Sequence, residues 1–168
     1  MYRGDSFQVV VDKPEYALAI AIALRAKLKA ETPDGQKLWD ARLAVGVGEI
    51  SFESDNIVTS DGEAFRLSGH SFDHIGKKRL SISTPWSDFN ANIELVTRFA
   101  DDLITSWTAK QARVVYQSML FPKLQKDLAE ELDMTRQNFN YHWSSARGQL
   151  ILDYVEYFKS LISKYVRQ

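Results

Sequence analysis

The chain contains no cysteine. That excludes a disulfide framework, a thiolate zinc site and a cysteine nucleophile. It also lacks a long hydrophobic run. The longest, ALAIAIAL at residues 17–24, is well short of the roughly 20 apolar residues a membrane helix needs, and charge flanks it. The N-terminus is polar and has no apolar segment of the kind a secretory signal carries. Nor is there a surplus of charge: 21 Lys and Arg stand against 22 Asp and Glu, a net charge of −1. Bulk electrostatic attraction to nucleic acid or membrane is therefore absent, and any such binding needs a local patch. Together these absences point to a cytoplasmic protein. What is present is a core: 168 residues, 45% hydrophobic and 12% aromatic, suit one medium domain or two small ones.

The first half reads as mixed strand and helix. Phe7, Val9 and Val11 alternate with Ser6, Gln8 and Val10, the period of a strand over 6–12. Asp12-Lys13-Pro14-Glu15 reads as a helix start with Asp12 as N-cap. The spacing of Ala17, Ala21, Leu24 and Leu28 carries that helix to about Ala30. ARLAVGVGEI, residues 41–50, is a second strand with Leu43, Val45 and Val47 on one face. Ala44, Gly46 and Gly48 form the other, a bare face that admits a backbone or a ligand. Gly62 to about Ile75 reads as helix, and RLSIST at 79–84 as a third strand stopped by Pro85.

From there the pattern is helical. Phe89, Ile93, Val96, Ala100, Leu103 and Trp107 make a long amphipathic helix. Thr108 and Gln111 fit a capping box opening a helix to about Met119, which FPK breaks. Leu124–Leu132 and residues 136–146 are two further helices. The stripe from Ile151 through Tyr154, Val155, Phe158, Leu161 and Ile162 to Tyr165 is another, suited to packing on its own domain or to homodimerisation. The expected division is residues 1–84, α+β, and 85–168, all helical.

The stretch QKDLAEELDMTRQNFNYHW, residues 125–143, fits a helix-turn-helix spanning about 124–146. Two helices crossing steeply need a small residue at the contact and apolar residues around it. Ala129 is the small residue; Leu128, Leu132, Met134 and Phe139 fill the crossing. Asp133 occupies the turn, where glycine is most common, and Thr135 caps the second helix. Arg136, Gln137, Asn138, Asn140 and Tyr141 follow. Arg, Gln and Asn are the side chains that make two-pronged contacts with base edges in the major groove. No acidic residue lies between Thr135 and Arg147, while Arg136 and Arg147 are basic. This is the local patch that the overall charge does not supply. It makes Thr135, Arg136, Gln137, Asn138, Asn140, Tyr141 and Arg147 candidates for contact with double-stranded DNA. The plain alternative is a helical bundle with an amide-rich polar face.

YRGDSFQVVV, ARLAVGVGEI and SDGEAFRLSGHSFDHI, with the terminal helix-turn-helix, resemble in order and character the SatD-like family of bacterial proteins. More distantly, the three stretches resemble the palm of class III nucleotide cyclases and GGDEF proteins. The resemblance implies a truncated ferredoxin-like, cyclase-type palm ahead of the helix-turn-helix. It makes Asp5 a metal-binding carboxylate at a hairpin tip, with magnesium and a nucleotide as possible cofactors, and makes Gly46 and Gly48 room beside the nucleotide. The palm's first strand, with a second Asp, is expected upstream of residue 1. Arg66 and His70 stand where the cyclase pattern has Asn and Arg. No catalytic residue is assigned for those reasons, and a sheet deprived of that strand is expected to dimerise or to be marginally stable.

Other constellations are weaker. His70 and His74 share a helix face near Asp73, a spacing that can serve a metal but reads more simply as solvent-facing histidine. Trp39, Trp86, Trp107 and Trp143 read as core or interface anchors. The tripeptide Arg3-Gly4-Asp5 matches an adhesion motif, yet nothing directs the chain outside a cell. The expectation is a DNA-binding transcriptional regulator with a sensor or dimerisation domain and no membrane partner. The alternative is a divalent-metal, nucleotide-binding or cyclase-like enzyme that needs the upstream strand.

Overall fold

A computed structural model describes residues 7–51, 61–121 and 123–166. Asp5, and with it the expected metal ligand, lies outside the described residues. The fold is mixed α and β, and mostly helical. A 3-10 turn at Pro14–Tyr16 leads into α1 (Ala17–Ala30). β1 (Leu43–Gly46) and β2 (Ile50–Ser51) follow, then β3 (Asp61–Gly62), α2 (Glu63–Asp73) and β4 (Leu80–Ser83). Five helices complete the chain: α3 (Ser87–Ser106), α4 (Ala109–Leu120), α5 (Gln125–Glu131), α6 (Arg136–Ser145) and α7 (Gly148–Val166). None of the described helices is long and apolar enough to cross a membrane.

β1 and β4 pair in parallel, Leu43 opposite Leu80 through Gly46 opposite Ser83, with α2 in the connection between them. A parallel pair requires such a crossover. β2 and β3 form a separate two-residue antiparallel ladder. Leu43, Val45 and Val47 turn toward α1 and the core, as their spacing implies. The bare face is covered by a backbone: a Cβ on Gly46 would fall within contact distance of the Ala64 carbonyl and the Ser68 amide of α2. A Cβ on Gly48 would meet the Glu63 side chain. These glycines let a helix lie directly on a strand, so their bareness has a structural cause.

The expected strand over 6–12 is not formed at residues 7–12, and Asp12 is not a cap. Phe7 and Val9 are 62% and 64% exposed, and the segment has no ladder partner among the described residues. Alternation predicts which face a strand would bury; it cannot supply the neighbouring strand whose hydrogen bonds define one. The residue before the helical start is Lys13, with no side-chain capping bond, and Pro14 sets the first turn. Trp39 is 44% exposed and anchors no core, whereas Trp107 is 1% exposed.

One core runs from Leu18 and Ile22 of α1 through Leu80, Phe89, Ile93 and Ile104 to Ile151, Phe158 and Ile162 of α7. It bridges the expected boundary at Thr84–Pro85. α1 lies against α4. The Arg113 guanidinium donates to the Ala30 carbonyl at the end of α1, 2.9 Å away. Beside this core sits a charged one. Arg25, fully buried, donates from Nε and Nη2 to both oxygens of Asp40, each at 2.9 Å. Its Nη1 donates to Asp101 at 2.6 Å and its Nη2 to the Thr105 hydroxyl at 2.9 Å. Asp101 also accepts the Arg79 amide, 2.8 Å away, at the entry to β4. Lys29, also buried, donates to the Thr105 carbonyl and lies 3.4 Å from Asp40. Burial pushes the Lys29 ammonium below its usual range, against the pull of Asp40. Burial acting alone would raise Asp40. The Arg25 bonds and charge, helped by Lys29, outweigh it and hold the carboxyl below its usual range.

Removing one partner of a buried ion pair leaves the other uncompensated, so Asp40→Asn is expected to cost about 3–5 kcal/mol in urea unfolding. The Asp40 carboxyl titrates lower folded than unfolded. Its stabilisation is therefore complete above the unfolded value near ~4 and is lost as pH falls below it. The acid limb of a stability–pH profile should be shallower in Asp40→Asn. Gly46→Ala should cost about 1–3 kcal/mol, because α2 must move off β1. Gly69→Ala, with nothing within 4 Å of the added carbon, should instead gain about 0.5–1 kcal/mol.

Candidate functional site

The segment from α4 to α7 presents the sequence-derived candidates, and its turns explain how. α4 opens on a capping box with both bonds formed: Thr108 N–H to Gln111 Oε1 at 2.8 Å, Gln111 N–H to Thr108 Oγ1 at 3.3 Å. α5 ends in a Schellman turn. The Met134 amide donates to the Ala129 carbonyl at 3.0 Å, and the Asp133 amide to Glu130 at 3.1 Å. That closure needs a left-handed residue, and Asp133 supplies it with φ +52°. Aspartate tolerates this region better than most side chains. Thr135 then caps α6, its hydroxyl accepting the Asn138 amide at 3.2 Å.

A small core separate from the main one holds α5 and α6 together. Val114 of α4, Leu128 and Ala129 of α5 and Phe139 of α6 are all buried, with Leu132, Met134 and Trp143 packed around them. The Trp143 side chain also touches the main core. A Cβ on Gly148 would run into the Trp143 ring, so the start of α7 passes directly beneath it. The Trp107 indole N–H donates to the Ala146 carbonyl at 2.9 Å, in the interior. The end of α6 is thereby tied to the α3–α4 junction. Arg147 makes the turn into α7 with φ +55°.

Phe139 and Trp143 define the inner side of α6. Gln137 and Tyr141, four residues apart, lie on the outer side, Tyr141 at 66% exposure. Ser144 continues that line and is exposed. Arg136 is exposed and Asn140 half-buried along the adjacent row. Gln137, Tyr141 and Ser144 share the outer surface. Asn138, exposed, flanks Tyr141 about 60° around the helix on one side, and the Asn140–Arg136 row lies on the other, Arg136 about 60° from buried Phe139. Its amide, not its side chain, engages Thr135. Arg147 is exposed at the opposite end, just past the C-cap of α6.

Two features were not singled out in the sequence. Ser144 is legible from the 3.6-residue period once Phe139 is known to face inward. His142 is half-buried, and its ring meets Tyr141 edge-on at 5.3 Å. Burial and the nearby Lys110 ammonium of α4 lower its pKa. Lys110 is exposed and so adds a positive charge beside the last turn of α6. Sequence separation hid that approach. On α5, Glu131 pairs with Lys123, and Glu130 lies 4.0 Å from Lys126. The negative charge of this helix is thus partly offset locally.

The other candidates do not assemble. His70 and His74 stack at 4.3 Å on exposed α2, with the His74 Nδ1 bonded to the His70 carbonyl. Among the described residues no three His, Cys, Asp or Glu side chains form a group able to hold a metal ion.

Backbone geometry at the α5–α6 turn has a measurable signature. Asp133→Val should lose about 1–2 kcal/mol through left-handed strain, while Asp133→Gly should keep or raise the melting temperature. A comparison of the two by thermal unfolding checks the turn independently of any ligand. No known protein family, curated protein or solved structure matches this chain.

Proposed function

We propose that the chain is a DNA-binding transcriptional regulator in which α5 and α6 act as a helix-turn-helix and α6 enters the major groove. The observation that carries this reading is the outer side of α6. Gln137, Tyr141 and Ser144 face solvent together, flanked by exposed Asn138 on one side and half-buried Asn140 and exposed Arg136 on the other, on a helix with no acidic residue from Thr135 to Arg147. Gln137 and Asn140 suit base edges; Arg136 and Arg147, at the two ends of α6, suit phosphates. Thr135, at the helix N-terminus, suits a phosphate as well. Lys110 adds a further phosphate contact.

On this reading the first half serves as a sensor or dimerisation module, a ferredoxin-like palm of the SatD-like kind, in a cytoplasmic homodimer that reads paired half-sites. The enzymatic alternative, with magnesium and a nucleotide at Asp5, has less support, because the bareness of Gly46 and Gly48 is accounted for by α2.

Fluorescence anisotropy with generic duplex DNA at two salt concentrations tests the proposal. Affinity should fall steeply with salt. In Arg136→Ala/Arg147→Ala the logarithmic salt slope should drop by about 2, since each phosphate contact contributes about 0.9. Absence of binding at low salt by the wild type, with saturable binding of a nucleotide and magnesium, would overturn it in favour of the alternative.

A further inference from the structure

The sheet contains a pairing site that its own strands do not use. Leu43, Val45 and Val47 direct their backbone groups at β4: the Leu43 amide bonds to Arg79 at 2.8 Å and the Val47 amide to Ser83 at 3.0 Å. By the alternation of a strand, Ala44 and Gly46 direct theirs at the opposite edge. Neither has a hydrogen-bond partner there among the described residues. This edge opens into a groove of about 1500 Å³. Ile20 and Leu24 of α1 form one wall and Phe65 and Phe72 of α2 the other, while Phe7–Val11 closes the far side. The groove thus continues the plane of the sheet between the two helices that cover it.

Its charge is one-sided. Among the described residues Asp12, Glu49, Glu63 and Asp73 line it against one cation, Arg42, whose guanidinium sits over the Phe72 ring at 5.5 Å. We propose that the β1 edge accepts an extended peptide from a partner protein, added as a strand, with apolar side chains alternating with basic ones. The backbone groups of Ala44 and Gly46 bond the peptide backbone. The apolar side chains face Ile20 and Leu24 of α1, and the basic ones, on the opposite face of the added strand, meet Glu49, Glu63 and Asp73 on the α2 side. Strand addition of this kind takes affinity from main-chain bonds and specificity from alternate side-chain positions. The proposal is independent of the DNA reading.

The probe is a fluorescein-labelled peptide of alternating lysine and valine, titrated against the full chain by anisotropy. Two control peptides replace every lysine by glutamate, or N-methylate alternate amides so that the backbone cannot pair. The lysine–valine peptide should bind, and each control should bind about tenfold more weakly or worse, the N-methylated one through loss of two or so hydrogen bonds and the glutamate one through like-charge repulsion at the rim. Ala44→Pro removes one edge donor at a position where an edge strand tolerates proline, and should weaken binding with the helical circular dichroism unchanged. If that variant misfolds, Glu49→Gln/Asp73→Asn, at two exposed positions, decides: it should weaken the lysine–valine peptide and not the glutamate one. Equal binding of all three peptides, or binding of none, overturns the proposal. So does a wild-type dimer in sedimentation that Ala44→Pro converts to monomer, which would assign the edge to a second copy of the chain.

Discussion

Arg25 is the constraint around which the remaining elements are arranged. A fully buried guanidinium is tolerable only if its donors find acceptors, and no single element can provide enough of them. Here they come from Asp40 in the connection before β1, and from Asp101 and Thr105 on α3. Asp101 in turn holds the Arg79 amide where β4 begins. Three parts of the chain are therefore fixed to α1 by directional bonds. Hydrophobic contact alone would let α1 slide along its neighbours; the forked geometry of arginine against a carboxylate permits one placement. Lys29, one turn further along α1, sits on the same acceptors.

The region around α6 is organised differently. Few buried residues hold it, and its position comes from chain geometry. The Schellman turn at Asp133, the Thr135 cap, the left-handed Arg147 and the indole bond from Trp107 to Ala146 each fix one end of a short helix. Fixing ends rather than burying faces leaves the outer side of α6 uncovered, so a rigid helix can carry polar side chains into solvent. Recognition of a groove benefits from that arrangement, because little ordering remains to be done on binding.

The sheet joins these two halves of the picture. Gly46 and Gly48 let α2 lie on β1, which narrows the layer, and α1 covers the other face. With a helix on each side, the plane next to β1 is enclosed above and below but open at its edge. The period-2 segment Phe7–Val11 borders this opening without pairing to it. An unpaired edge is ordinarily a liability in a protein, and a carboxylate rim is one way to restrict what pairs with it.

Local signals in the sequence determined most of the helices and both turns of the candidate site. The Thr108–Gln111 box, the Thr135 cap and the long stripes of α3 and α7 depend on residues within a few positions of each other, and such interactions survive translation into structure. The residues on the outside of α6 were legible for the same reason, although only the burial of Phe139 and Trp143 fixes which side is outer. Partnership across the chain was not legible. The alternation at 7–11 describes a strand but cannot provide its neighbour. The bareness of Gly46 suits a ligand or a helix equally until α2 is placed. Arg25 and Asp101 are 76 residues apart, as Lys29 and Thr105 are, and nothing local marks them as a pair. Those choices belong to the tertiary structure, because buried charge and sheet hydrogen bonds are satisfied only by groups that folding brings together.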